Sequence, residues 1–422
     1  MLDAALTLLI LLAMVVLFAT QALPLSVTAL SGALILCFAG ILGYADLYAS
    51  LANPTLLLFA GMFVVGAALF HTGLAQWIGD TAIKRLGQSE TRLLWVTMLM
   101  SSILSTFASN TGTTAALIPV VLSVCLAAHI PASRQLMPLA FASGFGGFST
   151  LIGTPPNIIV ADILKQEGYT TFGFFEFAWV GLPLAFAGML YLTWASKALL
   201  PQQQAQSAPV LDENSPPAVR RPKHMVICGV ILLAVVVVMA LNIPALPIEI
   251  VALVGALLCV LTGCLTDKQA YQSIEWDTLF LFAGMFVVAK ALQTSGAADF
   301  LAHIFQKGLG QGAPTWLLVS ACYFFTVFLN SFISNTACAA LLSPIVMTVA
   351  KGINAQPQPL LMAVAVGASC SFLTPIGTPP NTLVWKVGGY RFTDYARLGG
   401  GLVFVCWLVA VIIIPWRWPA YP

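Results

Sequence analysis

The chain has 422 residues, 59% of them hydrophobic and only 8% charged, with mean hydropathy +0.95 and net charge +2. So few charges cannot cover the surface of a soluble protein of this size; the net charge says nothing about nucleic acid, but no basic stripe is present and no such partner is expected. Apolar runs of about 20 residues, the length that crosses a ~30 Å hydrocarbon core, recur instead. The expected class is an all-α polytopic protein of the lipid bilayer.

The first run, MLDAALTLLILLAMVVLFAT, has no basic leader and no small-residue cleavage site, so a retained span is expected and not a signal peptide. Spans follow near 25–43 and 54–71, the first lying near 3–21, and then an amphipathic segment, TGLAQWIGDTAIKRLG. Two apolar arms flank Ser109-Asn110-Thr111, a span is broken at Gly153-Thr154-Pro155-Pro156, and a last span lies near 177–199. The polar, Pro-rich stretch 201–223 reads as a linker on the membrane surface. Beyond it come spans near 224–241, 245–263 and 276–293, arms meeting at Ser334-Asn335-Thr336, a break centred on Gly377–Pro380, and a last span near 396–416.

The two halves, 1–200 and 224–422, are one pattern written twice. FAGMFVV at 59–65 recurs at 282–288, a shift of 223; SNTGTTAALIP at 109–119 matches SNTACAALLSP at 334–344, a shift of 225; IGTPPN at 152–157 recurs at 376–381, a shift of 224. Three ordered matches at nearly one offset imply an internal duplication. Each half crosses five times if its SNT arms form a re-entrant hairpin, and seven times if both arms span. Both numbers are odd, so the repeats are inverted either way. Of the 17 Lys and Arg residues, twelve fall on the face of the linker, four (Lys165, Lys307, Lys351, Arg417) on the face of the N-terminus, and Lys290 within a span. The positive-inside rule makes the linker face cytoplasmic and leaves both termini outside, in what is expected to be a bacterial inner (plasma) membrane.

Interrupted helices survive at membrane depth only where protein or a water-filled cavity surrounds them. The order Gly-Thr-Pro-Pro reads as a stop and a start. Gly153 and Gly377 suit the left-handed end of an incoming half-helix, Thr154 and Thr378 an N-cap, and the following proline the first helical position. Such a junction is expected to pair carbonyls for a cation with free N–H groups for an anion. The SNT tips add hydroxyls and an Asn amide, an oxygen-only set that suits weakly held Na⁺ better than a transition metal.

The segment ASCSFLTPIGTPPNTLV (Ala368–Val384) resembles the signature of the divalent anion/sodium symporter (DASS) family, and FASGFGGFSTLIGTPPNIIV is its looser first-half counterpart. The resemblance implies Na⁺-coupled import of dicarboxylates, citrate or sulfate by a homodimeric elevator, a transport domain sliding along a scaffold domain, each drawn from both repeats. By motif, it places the substrate at Asn110, Thr111, Ser334, Asn335, Thr336, Thr378 and Pro379. It places one Na⁺ at Ser105, Ser109, Asn110 and Gly153, and its symmetry mate at Asn330, Ile333, Asn335 and Gly377. The chain departs from the family in having no extra helix ahead of the first repeat, which bears on the scaffold and not on the site.

Other residues invite functional readings that the sequence does not favour. Lys290, whose mate is Ala67, lies near the end of its span, where it is expected to snorkel. Asp162 and its mate Lys386 are expected to be solvated helix ends, Glu249 an acidic first-turn residue, and Cys338 and the other eight cysteines packing residues. The four histidines (71, 129, 224, 303) form no cluster with carboxylates. A membrane enzyme would need a nucleophile with a base or a metal cluster, and a proton antiporter or arsenite carrier a carboxyl at the tips; neither pattern is present. The leading reading is import of a small divalent anion, most readily a C4-dicarboxylate or related di- or tricarboxylate. The alternatives are a sulfate or other inorganic-anion symporter, a dicarboxylate exchanger and, through Asp162, a cation/proton antiporter of the same broad architecture.

Overall fold

The computed structural model describes residues 2–20, 22–86, 89–201, 221–243, 245–297, 300 and 313–421. The linker expected over 201–223 falls mostly outside them, as do Arg220, His303 and Lys307. The first half comprises α1 (Leu2–Thr20), α2 (Leu25–Phe38), α3 (Tyr44–Leu51), α4 (Pro54–His71), α5 (Leu74–Leu86), α6 (Glu90–Ser105), α7 (Asn110–Ala127), α8 (Ser133–Gly147), α9 (Pro155–Gln166) and α10 (Ala178–Leu199). The second comprises α11 (Pro222–Ala240), α12 (Ile248–Leu261), α13 (Asp267–Ser273), α14 (Trp276–Thr294), α15 (Thr315–Asn330), α16 (Asn335–Gly352), α17 (Pro357–Ser369), α18 (Pro379–Val387) and α19 (Phe392–Arg417). Seven of the described helices are long and apolar enough to cross a membrane. The protein is an integral membrane protein built as two inverted repeats.

Two short helices, α3 and α13, escape the hydropathy pattern because each is too short to show a period. Local chemistry starts them instead. The Gly43 N–H donates to Asp46 Oδ2 at 3.1 Å, and Thr266 and Gln269 close a capping box through bonds of 2.9 and 3.3 Å. The second span of each half is shorter than expected. Helix α2 stops at Phe38, just before Gly40 turns left-handed (φ 75°), and α12 begins only after Pro247.

The repeats interlock. Within the shared FAGMFVV run, a Cβ on Gly61 would lie 2.7 Å from the backbone of Ala252 in α12, and one on Gly284 would lie 2.5 Å from that of Ala29 in α2. Ala29 and Ala252 are themselves mates at shift 223. Each repeat therefore crosses its partner at backbone contact, which only glycine permits. These crossings gather α1–α4 with α11–α14 into one bundle, while α6–α10 pack with α15–α19 into a second.

In the second bundle α6 and α7 form one hairpin, and α15 and α16 the other. Helices α7 and α16 have 18 residues each, the length of a span, yet their first residues share one cavity. Hairpins entering from opposite faces can meet there only if both are re-entrant, which decides for five crossings per repeat.

Candidate functional site

Each hairpin tip is a helix start with spare donors. Ser109 caps α7 by accepting the Gly112 N–H at 3.1 Å, and Ser334 caps α16 by accepting that of Ala337 at 3.3 Å. The N–H groups of Asn110 and Thr111, and of Asn335 and Thr336, occupy the first two helical positions, where no carbonyl lies a turn behind. Among the described residues nothing else accepts them. Ser105 Oγ donates to Asn110 Oδ1 at 2.5 Å, and Ser371 Oγ donates to Asn335 Oδ1. Both amides are thus turned with their oxygens inward, leaving the Nδ2 donors for a ligand.

The breaks differ from expectation in three ways. The incoming half-helices end earlier, at Gly147 and Ser369, and neither Gly153 nor Gly377 is left-handed. Gly153 is needed for a close approach instead, since a Cβ there would lie 2.6 Å from the Gly147 carbonyl oxygen. Thr154 and Thr378 do occupy the N-cap position, but their side chains make no capping bond; Thr154 Oγ1 lies 3.3 Å from Ser369 Oγ. Nor do α9 and α18 present free N–H groups from their first turns. Two prolines remove the first two donors, and the Asn157 and Asn381 amides bond back to the Thr154 and Thr378 carbonyls at 3.1 Å.

What fixes the breaks is the last residue of IGTPPN. Asn157 Nδ2 donates to the Gly147 and Thr150 carbonyls at 2.8 and 2.7 Å, and Asn381 Nδ2 to the Ser371 and Thr374 carbonyls at 2.7 and 3.0 Å. Both residues are buried. Sequence reading passed over this pair, although its repetition inside the motif was visible. It also passed over Ser371, whose mate is Gly147, so no repeat signal marked it.

A cavity of ≈ 440 Å³ brings most expected residues together: Ser109, Asn110, Thr111, Gly153, Ser334, Asn335, Thr336, Gly377, Thr378 and Pro379 all line it. Ser105, Asn330 and Ile333 are buried just behind the tips. The cavity runs toward the linker face, reaching Leu25, Phe70, Ser273, Glu275 and Asp277, and the described residues lining it include no Lys, Arg or His. Behind the second tip, Asn330 Nδ2 donates to Ser371 Oγ at 2.7 Å while Asn330 Oδ1 is buried without a partner. An orphaned hard oxygen beside the Asn335 amide fits a small cation of Na⁺ type. The described residues hold no His, Cys, Asp and Glu group suited to a transition metal.

The opposite face is closed by polar contacts around a second cavity of ≈ 570 Å³. Asp162, expected to be solvated, is only 8% exposed. Its carboxylate accepts from Thr55 Oγ1 at 2.5 Å, from Asn53 Nδ2 at 3.4 Å and from Gln166 Nε2 at 2.5 Å, because α9 delivers it against the start of α4. Lys165 reaches the buried Glu249 at 3.1 Å. Lys290 leaves its span to pair with Asp46 of α3 at 2.7 Å. Lys386, by contrast, is exposed as expected, and Cys338 is fully buried in packing.

The citrate transporter family matches residues 15–367 and 311–420. An uncharacterized transporter of Haemophilus influenzae is 30% identical over 93% of this chain and 87% of its own length. The sodium-dependent dicarboxylate transporter SdcS of Staphylococcus saprophyticus is 26% identical over 94% of this chain and 82% of its own. In fold, the chain is similar to the YdaH transporter of Alcanivorax borkumensis at a TM-score of 0.67, with 15% identity and both chains fully covered. Inverted repeats, re-entrant tips at a shared cavity and these matches agree: the chain belongs to the citrate transporter family and is a secondary transporter, not an enzyme.

Proposed function

We propose that the protein imports small divalent anions, C4-dicarboxylates or related di- and tricarboxylates, together with Na⁺. The observation that carries this reading is the meeting of two SNT tips in one cavity, with four unspent backbone N–H groups and two unspent Asn Nδ2 groups. Paired, separated donor sets suit an anion with a carboxylate at each end. Asn110, Thr111, Ser334, Asn335 and Thr336 hold it, with Thr378 and Pro379 shaping the wall. The name of the staphylococcal relative and that of the family support the substrate class.

Magnitudes argue for the cation. A helix N-terminus stabilises an anion by at most ~2 kcal/mol, whereas each buried carboxylate without a counter-charge costs several kcal/mol. With no basic side chain among the described residues that line the cavity, co-bound Na⁺ supplies the missing charge. One ion rests on Ser105, Ser109, Asn110 and Gly153, the other on Asn330, Ile333, Asn335 and Gly377. The second bundle, as the transport domain, slides past the first, as the scaffold of a homodimer. The linker faces the cytoplasm of a bacterium and both termini lie outside its inner membrane.

Uptake of radiolabelled succinate into proteoliposomes, with an inward Na⁺ gradient and with choline in its place, tests the reading. Unlabelled citrate, malate, α-ketoglutarate and sulfate serve as competitors. Uptake that collapses without Na⁺ is expected. Uptake of sulfate but not succinate moves the protein to inorganic anions, and Na⁺-indifferent uptake driven by internal dicarboxylate makes it an exchanger.

A further inference from the structure

The contacts that close the N-terminal face have counterparts that are unmade. Asp162 on α9 binds Thr55 at the start of α4. At the repeat offsets of 224 and 223 their mates are Lys386 on α18 and Thr278 at the start of α14. Next to Thr278 stand Glu275 and Asp277, where the first repeat has Ala52 and Pro54. Lys386 is exposed, and no hydrogen bond or ion pair joins it to α14 among the described residues. Glu275 accepts only from Thr278 Oγ1 at 3.1 Å and Asp277 only from Ser26 Oγ at 2.5 Å, so neither carboxylate meets a base among the described residues. Both line the open, linker-face end of the substrate cavity.

In an inverted-repeat carrier the two end states exchange the conformations of the repeats, so a contact made by one repeat now is made by its mate in the other state. We propose that Lys386 docks on Glu275 and Asp277 when the second bundle moves to its alternate position, closing the linker face as Asp162 on Thr55 and Asn53 closes the N-terminal face here. This rests on the moving-bundle reading above. It adds that the two end states are held by latches of unlike chemistry. One is a carboxylate accepting from neutral groups; the other is a lysine between two carboxylates, sensitive to ionic strength.

The test is a cross-link and a charge-reversal cycle, both on the full chain in proteoliposomes. Lys386→Cys with Glu275→Cys is expected to form a disulfide on oxidation that stops uptake and is reversed by reductant, with the two single-cysteine variants controlling for native thiols. Lys386→Glu and Glu275→Lys are each expected to slow uptake about two- to fivefold, the reach of an exposed ion pair, and the double reversal to restore it to within about twofold. Failure of either arm overturns the proposal: no cross-link in any ion condition removes the approach, and a double reversal no better than the worse single removes the ion pair. Because the disulfide needs no substrate, a cross-link in protein that takes up none of the tested anions sinks the substrate reading and leaves the latch. Succinate uptake without cross-link or rescue does the reverse.

Discussion

Phe59 and Phe282, one residue at the repeat offset, stack on each other with ring centroids 4.5 Å apart and planes 28° apart. Mates can touch only beside the pseudo-symmetry axis, so that axis passes between these rings, through the bundle of α1–α4 and α11–α14. Two residues on, Gly61 and Gly284 make the symmetric close crossings. The bundle that contains the axis is locked by both repeats at once, and a rigid body of this kind is what the proposed sliding of the second bundle requires.

The lock can be tested at the glycines. Adding one methyl at Gly61 or Gly284 forces it against a backbone that cannot swing aside, a cost of about 1–3 kcal/mol. Gly61→Ala and Gly284→Ala should lower the melting temperature of the detergent-solubilised protein by similar amounts, and the valine variants should do so further. If alanine at both positions leaves the melting curve unmoved, the crossings are looser than the geometry requires.

The tips should separate binding from folding. Asn110→Ala and Asn335→Ala remove a donor proposed to meet the substrate, and each is expected to lower uptake efficiency about tenfold or more while leaving expression and melting temperature intact. Ser105→Ala and Ser371→Ala keep the amides but release their orientation. These should raise KM by a smaller factor, and normal uptake in both asparagine variants would show that the tips are not the site.

Much of this was legible from composition and repetition alone. Inverted repeats follow from an odd crossing count at one offset, and the tips follow from a polar triplet repeated inside apolar arms. What escaped was set by distance. The role of Asp162 depends on α4 and α9 meeting across 107 residues of sequence, which no local pattern encodes. The expected left-handed glycines fail because GTPP is not a single junction: Phe148–Gly153 forms a loop between the half-helices. Asparagines 157 and 381 hold such loops shut, a need invisible until the loop is seen.

Those asparagines give a stability prediction. Losing Nδ2 orphans the Gly147 carbonyl at the first break and the Ser371 and Thr374 carbonyls at the second, at about 1–3 kcal/mol for a buried one, while Thr150 keeps the Gly153 N–H at 3.3 Å. Asn157→Asp and Asn381→Asp retain the size but set oxygen against oxygen. They should destabilise at least as much as alanine, whereas a residue needed only for shape would tolerate aspartate. Melting temperature, measured without substrate, distinguishes the two.

Asn330 tests the cation. Its Oδ1 is buried and unpaired, while its Nδ2 holds Ser371 and through it Asn335. Asn330→Ala should raise the half-saturating Na⁺ concentration about tenfold, with a smaller effect on succinate affinity at saturating Na⁺. Equal losses in both would mean that Asn330 serves only to position the tip.

The last prediction concerns the closed face. Thr55 Oγ1 donates to Asp162 at 2.5 Å, while the Thr55 N–H is held by Asn53 Oδ1 at 2.8 Å, so Thr55→Val removes the shortest Asp162 contact between the bundles and keeps the helix cap. A buried hydrogen bond contributes about 1 kcal/mol, which is a factor of about five in a two-state ratio. The variant should therefore populate the alternate state more. A cysteine placed at Ser273, in the mouth of the cavity, should react more slowly, by at most about fivefold, with a hydrophilic maleimide than it does beside the native threonine. Labelling at the same rate in both backgrounds would mean that the Asp162 contact carries none of the free energy that holds this face shut, and that the closure rests on Lys165 and Glu249 instead.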